Sequence, residues 1–120
     1  MVRSHTIQLN GIPFYYAEVP GPGPRLVILH GLTGSHDEFL HLAPMLARQA
    51  HLYLLDMRGH GRSGRTQNGY TVADYGHDVV EFLQEVVGET AVLLGHSLGS
   101  MVATWVAANR PDLVAGLILE

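Results

Sequence analysis

At 120 residues, 47% hydrophobic and 15% charged, the chain has the composition of one folded domain and not of a disordered segment. A formal net charge of -4 with no basic block excludes the electrostatic footprint of a nucleic-acid or anionic-membrane binder. Zero cysteines exclude disulfides and thiolate metal sites; with no signal-peptide core in Met1–Thr6 and no apolar run of spanning length, the expected location is cytoplasmic.

Thr6–Leu9, Asn10-Gly11 and Ile12–Val19 read as a β-hairpin, because Asn-Gly is the strongest short turn signal between strands. Pro20–Pro24 is a stiff, non-helical connector, and Leu26–Leu29 is a short apolar run without polar alternation, expected to be a strand covered on both faces. Ser35-x-x-Glu38 has the form of a capping box, opening a helix that carries Phe39, Leu42, Met45 and Leu46 on one side until Pro44 kinks or restarts it. A second buried strand, Leu52–Leu55, runs into Asp56 and the glycine-rich loop Arg58–Gly64. Thr71 and Asp74 cap a helix whose Val72, Tyr75, Val79, Phe82 and Val86 fall at helical spacing. Ala91–Leu94 is a third buried strand, Leu98–Asn109 a helix stopped by Pro111, and Leu113–Leu119 a fourth strand.

Strands alternating with helices imply βαβ units. The expected fold class is α/β, a mostly parallel sheet with an N-terminal β-hairpin and helices on both faces. In such sheets ligands bind beyond the carboxyl ends of the strands. The loops that start at His30, Asp56 and Gly95 all leave from that edge.

One of those loops carries Gly95-His96-Ser97-Leu98-Gly99. Alone, a Gly-x-Ser-x-Gly is a weak signal, and an ordinary loop serine would explain it. Here it follows a strand without a spare residue and runs straight into a helix, the context a nucleophile elbow requires. A serine on so sharp a turn needs small residues two before and two after, and the helix N-terminus aims free amides at the site.

Gly95–Gly99, His30-Gly31 after the first buried strand, and Asp56-x-Arg58-Gly59-His60-Gly61-x-Ser63 after the second together resemble the α/β-hydrolase fold family. They are most similar to its small esterase, lactonase, haloperoxidase-like and C–C bond hydrolase branch. The resemblance implies that Ser97 is the catalytic nucleophile. It also implies that the backbone N–H groups of Leu98 and Leu32 form the oxyanion hole, while His30, Gly31 and His96 shape the substrate loop. A serine at the elbow argues against the dehalogenase and epoxide-hydrolase branches, which the family runs with aspartate there. Asp56, Arg58, His60 and Ser63 are expected to order their own loop rather than to do chemistry.

The family's acid and histidine follow the nucleophile in the chain. After Ser97 there is no histidine, and the later carboxylates are Asp112, at the wrong edge of the sheet, and Glu120. The expectation is therefore a single domain, 1–120, forming the N-terminal half of a truncated core without its cap region and C-terminal strands. Such a piece would be nearly inactive alone. His30, His36 and His60 stand on the correct edge as alternative bases, and Glu120 as an alternative acid. No cofactor is expected, and no metal site, since no i, i+4 histidine pair with an acid is present. The expected partner is a small-molecule substrate, an ester, lactone or related carbonyl compound, with a perhydrolase activity of the same serine as a further option. The 113–119 edge strand invites self-association or a complementing C-terminal half. The competing reading is a non-catalytic fragment that binds a ligand or partner.

Overall fold

A computed structural model describes residues 1–120, with six strands in one sheet in the order β1-β2-β4-β3-β5-β6. Strands β1 (Arg3–Leu9) and β2 (Ile12–Val19) form the expected antiparallel hairpin. Asn10 and Gly11 both adopt positive φ, 51° and 75°, the turn whose twist matches that of paired strands. β2 runs antiparallel to β4 (His51–Leu55), and from there the sheet is parallel: β3 (Arg25–Leu29) lies between β4 and β5 (Ala91–Gly95), and β6 (Val114–Leu119) borders β5.

Side-chain alternation along these strands divides the core in two. Val27, Leu29, Leu55 and Leu93 point to the face covered by α2 (Val72–Phe82) and α3 (Leu98–Asn109). Leu26, Ile28, Leu52 and Leu54 point to the other, covered by a 3-10 segment, His36–Leu42, and the short α1 (Ala43–Leu46). Helical segments thus lie on both faces, and no helix is long and apolar enough to cross a membrane.

Three local expectations are corrected. The Ser35 hydroxyl accepts from the Asp37 N–H and the Glu38 carboxylate turns away to the Gly31 N–H, so the capping box does not form. Pro44 restarts the segment as α1, and Met45, expected on the apolar side, is 58% exposed. A π turn over Leu83–Val87 adds a residue to the end of α2; Leu83 and Val87 become the buried pair, and Val86 only packs against their rim. The Thr71–Asp74 capping box, by contrast, forms in both directions.

Val92, Leu94 and much of β6 are only partly covered, since the second face has no long helix over them. The sheet is therefore well covered at its centre and open toward β6, but its parallel strands deliver three loops and the end of β6 to one edge.

Candidate functional site

The site is built where β3, β4, β5 and β6 end. Ser97 leaves β5 with φ 54° and ψ -116°, a strained conformation for a residue with a side chain. The packing around it explains the two glycines. A Cβ at Gly95 would lie 2.3 Å from the Gly99 carbonyl oxygen, and one at Gly99 would lie 2.1 Å from that of Leu29. Ser97 is exposed, and its Oγ makes no hydrogen bond with the protein. Its own N–H donates to the Glu120 carbonyl at 3.1 Å, and the His96 N–H to that of Leu29 at 3.1 Å, so the turn is fastened to both neighbouring strands.

The Leu98 N–H opens α3, and neither it nor the Leu32 N–H donates to a loop carbonyl or side chain. Gly31 is the close approach between the two loops: a Cβ there would stand 3.5 Å from the Ser97 Cβ. His30 fixes the peptide that follows it. Its Nε2 accepts from the Met57 N–H at 3.0 Å, which places the ring proton on Nδ1, and Nδ1 donates to the Gly31 carbonyl at 2.7 Å. Because a trans peptide holds its C=O and N–H on opposite sides, that bond turns the Leu32 N–H away from His30. Burial holds the His30 imidazole below the ordinary histidine range, in keeping with a neutral ring that both donates and accepts.

The Asp56–Gly64 loop supports this edge from behind. Asp56 is fully buried and accepts from the His36 N–H at 2.6 Å, the His36 Nδ1 at 2.9 Å and the Arg62 N–H at 2.9 Å. Ser63 Oγ accepts from the Tyr15 N–H and donates to the Asp56 carbonyl, joining the loop to β2. Arg58 makes a bidentate ion pair with Asp78 of α2, 2.6 and 2.8 Å, and donates to the Gly69 carbonyl. The ring nitrogens of His60 face the carbonyls of Arg58 and Leu32.

Every histidine considered as a base is thus occupied. His30 and His60 are held at both ring nitrogens, and His36 lies between Asp56 and Asp37. None reaches Ser97. The residues that sequence reasoning missed are Glu38, whose signal was read as a cap, and Asp78. An aspartate between Tyr75 and Val79 on the buried face of α2 needed a cation, and Arg58 is that cation. Glu38 accepts from the Gly31 N–H at 3.3 Å and faces the His96 Nε2 at 3.5 Å.

A family model described as the alpha/beta hydrolase fold matches residues 24–120. The chain is 34% identical over 98 residues to a 2-(acetamidomethylene)succinate hydrolase of Mesorhizobium japonicum, an alignment covering 82% of this chain and 35% of the relative. A solved epoxide hydrolase, CorEH without ligand, superposes with a TM-score of 0.93 at 31% identity, over 99% of this chain and 42% of that one. A crystal structure of E-2-(acetamidomethylene)succinate hydrolase gives 0.91 at 31% identity, over 98% of this chain and 43% of that one. The chain therefore spans between a third and a half of the length of these relatives.

Proposed function

Because the chain belongs to the alpha/beta hydrolase fold family, we propose that it supplies the nucleophile and oxyanion hole of a serine hydrolase acting on a small ester, lactone or related carbonyl compound. The single observation that carries this reading is Ser97, strained, exposed and unbonded at the N-terminus of α3. In the proposed step Oγ attacks the carbonyl carbon, a base takes its proton, and the carbonyl electron pair moves onto oxygen. The N–H groups of Leu98 and Leu32 receive that oxyanion. Its collapse expels the leaving group, leaving an acyl-enzyme that water hydrolyses. The likeness to an epoxide hydrolase concerns the backbone; the elbow residue here is serine.

No imidazole among these 120 residues hydrogen-bonds the Ser97 Oγ, and the occupied state of His30, His36 and His60 favours a base and acid supplied by a C-terminal half of the protein. Without them the oxyanion hole and binding alone leave roughly 10³–10⁴-fold acceleration over water. The free edge of β6 is where such a half, or a second copy, would pair. The binding-only reading rests on the same missing base.

Fluorophosphonate labelling with added imidazole as a surrogate base separates the two. We expect slow phosphonylation of Ser97, faster with imidazole and absent in Ser97→Ala. No adduct at Ser97 at any imidazole concentration would leave the binding-only reading. Ester turnover that survives Ser97→Ala would instead overturn the assignment of Ser97 as the nucleophile.

A further inference from the structure

We propose that Glu38 is a positioning residue, tying the loop that carries the first oxyanion donor to the turn that carries the nucleophile. This rests on the assignment of Leu32 and Leu98 as oxyanion donors. The geometry is specific. One carboxylate oxygen, Oε2, accepts from the Gly31 N–H at 3.3 Å, and the other, Oε1, faces the His96 Nε2 at 3.5 Å. His96 immediately precedes Ser97, and Leu32 immediately follows Gly31. Glu38 therefore bridges the two loops one residue away from each functional group. Its path is reserved by Gly34, where a Cβ would stand 1.9 Å from Oε2. The Oε1 atom is buried and makes no hydrogen bond; the group it approaches is the His96 Nε2, as a charge-to-ring contact. A buried carboxylate oxygen aimed at the neighbouring turn is costly unless that alignment is used. The other groups facing this pair are the Phe39 ring, 6.0 Å from that of His96, and the exposed Glu120 carboxylate, 3.4 Å from His96 Nδ1.

A bridge of this kind acts on reactions that generate an oxyanion and not on those that do not. The separation between the donors sets how well they receive the developing charge, and a misplacement of an ångström is felt strongly in rate. Simple access to the nucleophile is unaffected.

Ser97→Cys makes this testable, because a thiolate at a helix N-terminus reacts without a partner base. In that background two reactions are timed: acylation by p-nitrophenyl acetate, which passes through an oxyanion, and alkylation by iodoacetamide, which does not. Glu38→Ala and the shorter Glu38→Asp are expected to slow acylation roughly tenfold while alkylation stays within about twofold. Glu38→Gln, which keeps an acceptor oxygen for Gly31, is expected to retain most of the acylation rate. Amide hydrogen exchange at Gly31 provides a readout independent of reactivity, faster in Glu38→Ala and near the parent in Glu38→Gln. Equal acylation and equal Gly31 exchange in all variants would overturn the inference, as would parallel slowing of both reactions. If the Ser97→Cys parent acylates no faster than a free thiol of matched alkylation rate, the oxyanion assignment itself fails. In that case Gly31 exchange still reports whether Glu38 forms the bridge.

Discussion

His30 shows how much one side chain can decide. Its two nitrogens are assigned by their neighbours: one accepts from the Met57 N–H, the other donates to the Gly31 carbonyl, and the ring is 1% exposed. Protonation would put a second N–H against the Met57 donor. Burial accordingly lowers the folded-state value below 6.5, so between the two values the unfolded chain binds more protons than the folded one. Stability contributed by the neutral ring is complete above the unfolded value and is lost as pH falls below it. Glu18 shifts in the same direction for a different reason. Burial alone would raise its carboxyl, but hydrogen bonds from His51 and His5 outweigh that and lower it, placing its loss in more acidic solution. His30→Phe removes the acceptor for a buried N–H and is expected to cost about 1–3 kcal/mol near pH 7.5. Its urea-unfolding stability should also fall less than the parent's between pH 7 and pH 5. Identical pH slopes in the two proteins would mean that His30 does not titrate with folding.

At the scale of elements, the Asp56–Gly64 loop depends on a pin into a helix. Arg58 reaches Asp78 of α2 with two charge-assisted bonds, and the Asn10 side-chain amide donates to the same carboxylate at 3.0 Å, adding the β1–β2 turn. The partners are 11% and 3% exposed, so removing one leaves a buried, uncompensated charge. Asp78→Ala is expected to destabilise by about 3–5 kcal/mol, measured by urea unfolding, whereas Arg58→Met with Asp78→Leu recovers most of the loss. A cost below 1 kcal/mol for the single variant would show that water reaches the pair. This pin also marks the limit of what the sequence discloses. Elements with local signals were legible from it: the Asn10-Gly11 turn, the Thr71 cap, α3 between Ser97 and Pro111, and the elbow itself. Features settled by distant partners were not. Glu38 has the right spacing for a cap and still prefers the Gly31 N–H, a donor brought within reach only when β3 and the 3-10 segment pack. The π turn in α2 follows from fitting Leu83 and Val87 onto the sheet, which helical periodicity alone cannot show. Likewise, the occupied nitrogens of His36 and His60 come from contacts spanning 20 and 28 residues.

For the whole molecule the consequence is an asymmetry between the sheet's two borders. β1 ends the sheet with Arg3, Ser4, His5 and Thr6, polar side chains that discourage pairing, and lies beside a well-covered core. β6 ends it with Leu117, Ile118 and Leu119 at 38%, 50% and 50% exposure, and its outer backbone groups have no strand beside them. Next to it, Leu26, Leu46, Ala50, Val92 and Ile118 line an open apolar groove of about 330 Å³. An unpaired apolar edge continuous with an apolar groove is a template for strand addition, and pairing two such edges would also cover part of the groove. The 120-residue chain is therefore expected to self-associate, its average mass by light scattering rising with concentration. Ile118→Lys places a charge on the half-exposed edge at the rim of the groove, and should shift the population toward monomer while changing urea-unfolding stability by no more than about 1 kcal/mol. A parent that stays monomeric across the concentration range would show that this edge does not pair. Association unchanged by Ile118→Lys would place the contact on another surface.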